Sequence, residues 1–254
     1  MKKILVFCFT LLAWHEAMAY QLTRDFRDGF YWSSFPVNFM VMDTDSSRMN
    51  LIASLAKAAV NEWESAITDG LWNIQSQLGS PTSNLNIIRW STKFGKETGL
   101  AEDTTLAVAI RYSKGPYIAR AEIIINGSHA LNSFPSQLQT VLTHELGHIL
   151  GLDHSENGDA LMAPQLQIPY QGLHWDDQMG MDYTVNETKR RQAIGYVSPL
   201  SSSTEKSEGS PLSCGTVDIS GGSGGSGGSP MISLGIGLLL ALMALRPTFK
   251  RKLS

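Results

Sequence analysis

The sequence predicts an α+β domain, with strands gathered in its first half, one long helix among them, and two further helices behind. Three observations carry that prediction. Short β-rich runs bounded by turn residues recur at 36–42, 85–90, 106–112 and 120–126. Apolar residues at helical spacing fill 46–68, and a second helical stretch begins near Ser136. A length of 254 residues with 43% apolar and 17% charged residues suits one globular domain with appendages.

Taken in order, 36–42 alternates, placing Val37, Phe39 and Val41 on one face. Ser46 or Ser47 is placed to cap the following helix, whose stripe reads Leu51, Leu55, Ala58, Ala59, Trp63 and Ala66 before Asp69-Gly70 ends it. The runs 85–90, 106–112 and 120–126 read as strands, the last two joined by the turn signal Lys114-Gly115-Pro116. The helix from Ser136 carries an apolar stripe of Leu138, Val141, Leu142, Ile149 and Leu150. Its end carries the chemistry.

Residues 144–154 read His-Glu-Leu-Gly-His-Ile-Leu-Gly-Leu-Asp-His and fit H-E-x-x-H-x-x-G-x-x-H at every fixed position. Residues four apart on a helix differ by about 40°, so His144 and His148 can offer ring nitrogens to one ion. They fall to one side of the apolar stripe, neither in the core nor directed away from it. Glu145 stands beside them, within reach of a metal-bound water. Gly151 stops the helix because only glycine turns cheaply through positive φ, and the chain doubles back to bring His154 in as third ligand. Three protein ligands and an open fourth position describe a catalytic zinc site; structural sites are closed by four.

With Ser155 after the third histidine and Met162 eight residues beyond it, in Ala160-Leu161-Met162-Ala163-Pro164, the chain resembles the metzincin metalloproteases of the matrixin branch. The resemblance implies a metzincin-type domain with a twisted mixed sheet, a long first helix, an active-site helix and a C-terminal helix. It implies one catalytic Zn2+ held by His144, His148 and His154, Glu145 as catalytic base, and Met162 in a tight turn flooring the imidazoles. The segment His174-Trp175-Asp176-Asp177-Gln178-Met179-Gly180 is similar to the start of the family's final helix, where capping explains both aspartates. In matrixins an edge strand lies above the zinc cleft and extended substrate adds to it; residues 106–112 and 120–126 both qualify. Structural calcium is common in the family, but no ligand set stands out, and Asp43 and Asp45 read equally well as turn residues.

The chain also departs from the matrix metalloproteinases. Ala163 replaces a usual tyrosine, Leu166 stands where a tyrosine often walls the S1′ pocket, and Pro164 rules out a tyrosine zinc ligand there. Neither a prodomain cysteine motif nor the histidine-rich loop of a second zinc is found, and His129 and His174 read as surface or supporting residues.

The ends predict export. Lys2 and Lys3, an apolar run over 4–14 and Ala17-Met18-Ala19 make a secretory signal over residues 1–19, so the mature chain starts at Tyr20 and keeps only Cys214. The domain is expected over 20–197. Residues 198–229 read as a Ser/Gly-rich linker, and 230–254 hold an apolar run over 231–245 followed by Arg246, Lys250, Arg251 and Lys252. This tail resembles the bacterial GlyGly-CTERM sorting signal, implying a Gram-negative cell surface and a rhomboid-type sorting protease; a plain membrane anchor is the alternative. Cys214 is then a lipidation site near the processing point or a free thiol. A net charge of −3 gives no reason to expect nucleic acid. The expected activity is a secreted or surface zinc endopeptidase acting on protein or peptide substrate. Against it stand a surface-tethered zinc-binding adhesion module and a narrow envelope-processing protease.

Overall fold

The computed structural model describes residues 20–165 and 171–201, and residues 211–218 by their backbone. The signal read at 1–19, Leu166, the Gly-Gly-Ser repeat and the apolar run 231–245 lie outside the described residues. Among the described residues no helix is long and apolar enough to cross a membrane.

The elements run β1 (Gln21–Leu22), α1 (Arg24–Arg27), β2 (Tyr31–Trp32), β3 (Val37–Asp43), α2 (Ser46–Glu64), β4 (Trp72–Leu78), β5 (Ile87–Ser91), α3 (Phe94–Thr98), β6 (Thr105–Lys114), β7 (Tyr117–Asn126), α4 (Pro135–Leu150), β8 (Leu152–Asp153), α5 (Trp175–Ile194) and β9 (Pro211–Asp218). A mixed α+β fold results, as the sequence predicts. The main sheet has the order β4-β3-β5-β7-β6-β9, with β2 added beside β7. Strands β4, β3, β5 and β7 are mutually parallel, whereas β6 runs antiparallel to β7.

Alternation works as expected in β3, where Val37, Phe39 and Val41 are buried against the helices and Asn38 faces outward to bond Asn73. Strand β7 is covered on both faces. Ile123 and Ile125 join the main core while Ile124 packs with Phe94 and Val108, which is why its apolar residues run without a break.

Several readings of the sequence are corrected. The cap of α2 is Asp45, whose carboxylate accepts from the amides of Ser47 (2.8 Å) and Arg48 (3.1 Å). Its buried stripe is Ile52, Ala56, Ala59, Val60 and Trp63, while Leu51 is exposed. The helix stops at Glu64, not Thr68, because the Glu64 carboxylate turns to accept from the amides of Leu71 and Trp72 and starts β4. Strand β4 itself, paired along its length with β3, had no counterpart in the expected strands.

Within the stretch read as a linker, 198–229, residues 211–218 pair with β6 as β9 and put Cys214 opposite Ile110. Of the two candidates for edge strand, β7 is interior, so β6 bounds the sheet on that side until β9 is added.

Candidate metal centre

Helix α4 starts at Pro135, a favoured first helical position, and is pressed between α2 and the sheet. Trp63 donates its indole N–H to the Thr143 carbonyl at 2.8 Å, and Trp32 donates to that of Ile149 at 2.9 Å. Almost the whole last half of the helix is buried. His144 and Glu145 are 0% exposed and His148 is 1% exposed. The sequence had them beside the core; they lie inside it, because the segment after the helix folds back over them.

That return begins at Gly151, with φ +109°, a left-handed conformation a side chain would strain. A Cβ there would also stand 2.7 Å from the Phe26 ring. β8 then pairs with β1, Leu22 opposite Leu152 and Gln21 opposite Asp153. His154 emerges half-buried, its amide held by the Asp153 carboxylate at 2.8 Å. Its ring centroid lies 5.4 Å from that of His144 and 5.0 Å from that of His148. The predicted three ligands therefore meet.

The orientation of the rings is set by backbone carbonyls. His144 Nδ1 lies 2.7 Å from the Leu161 oxygen, and His148 Nδ1 lies 2.7 Å from the Leu152 oxygen. A carbonyl only accepts, so both Nδ1 atoms carry the proton and both Nε2 atoms present a lone pair. Those Nε2 atoms are 3.0 Å apart. Two lone pairs so placed repel unless a cation draws both, and bonds of about 2.0–2.1 Å to a tetrahedral zinc set ligand nitrogens about 3.3 Å apart, near this spacing. The ligand atoms of all three histidines lie within 4.8 Å of one another, the only such group among the described residues. Burial pushes the His148 ring well below its usual pKa, helped by the neighbouring His144 and His154, and so keeps it neutral and able to ligate. The donor set fits zinc.

Ala163 N–H donates to the Ala160 carbonyl at 3.1 Å, closing a tight turn with Met162 inside it, and Ser155 N–H donates to the Met162 carbonyl at 2.8 Å. The Met162 sulphur packs on Gly147, one turn of helix between the two histidines.

Several contributors escaped the sequence reading. Asp177 is more than a cap: its carboxylate accepts from the amides of Leu161 (2.8 Å), Met162 (3.0 Å) and His174 (2.8 Å). It thereby fixes the carbonyl that orients His144. Asp176 accepts from Ser155 Oγ at 2.6 Å and from the Tyr20 nitrogen at 2.7 Å. Arg111, buried in β6, donates to Asp25 at 2.8 Å and to the His148 carbonyl. Nothing in the local pattern around Arg111 or Asp25 signals their pairing across 86 residues. His174 caps α5, and His129 caps the 3₁₀ turn Ala130–Ser133, so both are structural. Asp43 forms a two-point ion pair with Arg48 at 2.6 Å and Asp45 is the α2 cap, which leaves neither as an evident calcium ligand.

Comparison with known families agrees with this geometry. Residues 32–184 match the family model described as Peptidase M10, Matrixin. No curated protein matches the chain. The matched stretch covers more than half of the sequence and contains the whole histidine cluster, and the chain belongs to the matrixin family of zinc metalloproteases.

Proposed function

We propose that the protein is an exported zinc endopeptidase in which Glu145 is the catalytic base and acid, acting on extended protein or peptide substrates. Zinc held by His144, His148 and His154 would supply a water of lowered pKa and an electrophile for the peptide carbonyl. The observation that carries the reading is the pair of Nδ1–H···O=C bonds that turn the Nε2 atoms of His144 and His148 to one point. Glu145 follows His144 on the same buried helix. Its carboxylate would take a proton from the attacking water and pass it to the departing amine. Met162 floors the imidazoles from the turn below.

Export is supported by the leader pattern and by Tyr20, whose nitrogen faces the buried Asp176 carboxylate. Removal of residues 1–19 would turn that nitrogen into an ammonium group beside a carboxylate. The tail after residue 220 would then act as a sorting signal cut by a rhomboid-type protease, leaving the enzyme at or outside a Gram-negative surface.

Glu145→Gln is expected to keep one zinc per chain by elemental analysis and to lose hydrolysis of casein or gelatin by several orders of magnitude. His148→Ala is expected to lose the metal. Full activity in Glu145→Gln would overturn the assignment of the base. Stoichiometric zinc with no hydrolysis of any polypeptide by the parent chain would favour a tethered binding module instead.

A further inference from the structure

Strand β6 runs along α4, the helix that carries His144 and His148. Leu106 and Ala107 of β6 pack on Val141 of α4, and Arg111 ties the same strand to the carbonyl of His148. An extended polypeptide cut at the metal centre would gain main-chain hydrogen bonds by adding to the outer edge of β6 as a further strand. The edge is already taken. β9 pairs with β6 antiparallel, Val108 opposite Thr216, Ala109 opposite Gly215, Ile110 opposite Cys214 and Arg111 opposite Ser213. β9 also lies alongside α4, the helix that carries His144, Glu145 and His148.

We infer that residues 211–218 are an autoinhibitory strand, which occupies the substrate-pairing edge of β6 and must leave it before a polypeptide can be cut. The inference rests on the endopeptidase reading above and adds its regulation. The competition favours the resident strand. Nine residues separate it from Ser201, and so short a tether holds it at an effective concentration on the order of millimolar. A substrate at micromolar concentration has to displace it. Such blocking is competitive, so it raises KM and leaves kcat unchanged. Release would come from cutting or pulling the segment away, which suits an enzyme whose predicted processing signals lie just beyond residue 218.

The test uses the zinc-loaded chain from Tyr20 to its end, as the parent and as the double variant Thr216→Pro, Val217→Pro. Successive strand N–H groups point to opposite edges, so one of the two prolines removes a ladder donor toward β6. A second variant replaces residues 211–218 with alternating glycine and serine, which disfavours the strand without proline. Both should melt near the parent.

The expected result is a KM for a quenched peptide about tenfold lower or more, unchanged kcat, and faster hydrogen exchange at β6 residues 105–112. A synthetic peptide of residues 211–218 should inhibit the variants competitively. Unchanged KM overturns the inference, whether β6 exchange rises (the pairing is structural only) or is already fast in the parent (the strand is not paired). If no chain shows turnover, the endopeptidase reading fails on its own. Affinity for a peptidyl hydroxamate then decides occlusion: tighter binding by the variants upholds it, and equal binding overturns it.

Discussion

Replacing Gly147 by alanine separates helix propensity from packing at the metal centre, because the two effects have opposite signs. In an exposed helix interior the change is stabilising by about 0.8–1.0 kcal/mol. Here the added methyl would overlap the Met162 sulphur and stand 2.9 Å from Trp63 Cζ2. The methionine end could swing aside, but the indole is pinned by its hydrogen bond to the Thr143 carbonyl and is fully buried. Overpacking of this kind costs about 1–3 kcal/mol, so the net expectation is a loss of up to about 2 kcal/mol, with weakened zinc binding as Met162 is displaced. Met162→Ala alone should cost about 2–5 kcal/mol through the cavity it leaves. In the double variant the methyl introduced by Gly147→Ala fills part of that cavity, so the two losses should fall short of their sum by about 1 kcal/mol or more. Urea unfolding of the zinc-free proteins, followed by tryptophan fluorescence, measures all four corners of the cycle. A stabilised Gly147→Ala, or additivity within about 0.5 kcal/mol, would refute the packing of Met162 under the histidine helix.

Other predictions follow from the buried and clustered charges. Arg111→Met strands the Asp25 carboxylate, which is buried and relies on that guanidinium; a loss of about 3–5 kcal/mol is expected. Adding Asp25→Asn should recover much of it, and a cost below about 1 kcal/mol for the single change would show that the pair does not tie β6 to α1. Hydrogen bonds from Arg190 and Arg191 hold the Glu187 carboxyl down at about 2, against 4.5 for the free group. A depressed acid stabilises the fold at pH above its unfolded value and loses that contribution as pH falls through the folded one. Thermal midpoints of the parent should therefore drop from about pH 4.5 towards pH 2 more steeply than those of Glu187→Gln; parallel curves would contradict the assignment.

What the sequence revealed depends on whether the signal was local. The eleven residues 144–154 specify both ligand identity and the reversal that joins them, since i,i+4 spacing and one left-handed glycine are local facts. Strand β7 was legible because an unbroken isoleucine run has few other uses. β4 was not, because Trp72-Asn73-Ile74-Gln75-Ser76-Gln77 buries only Trp72 and Ile74 and otherwise faces solvent at a sheet edge. Its polar residues match loop composition, and only pairing with β3 makes a strand of them. The face of α2 was misread for a related reason. Apolar residues surround much of that helix, so Leu51 and Ile52 are equal candidates until the sheet selects Ile52. Asp25–Arg111 was beyond reach, as was β9, because each depends on segments far apart in the chain that the fold brings together.

Asp177 shows how much of the metal centre is built outside its motif. The carboxylate, buried at the start of α5, binds the amides of Leu161 and Met162 and so fixes the peptide whose carbonyl receives His144 Nδ1–H. The same aspartate completes the capping box of α5 with the His174 amide. Burial raises its pKa, and the amides of Met162, Leu161 and His174 pull the other way. An acid raised in the fold costs stability as pH climbs from its unfolded value to its folded one, so this side chain is a poor choice for stability alone. Asp177→Asn removes that cost but turns a donor toward amides that need acceptors, which leaves at least one unpaired at about 1–3 kcal/mol. If the carboxylate serves to aim His144, the variant should bind zinc about 10–100-fold more weakly while its zinc-free stability at neutral pH changes little, the two effects offsetting each other. Zinc titration against a chelator of known affinity, alongside urea unfolding of the zinc-free chain, resolves the two effects. Equal zinc affinity would mean that His144 is oriented by α4 and its own packing, with the turn around Met162 a bystander.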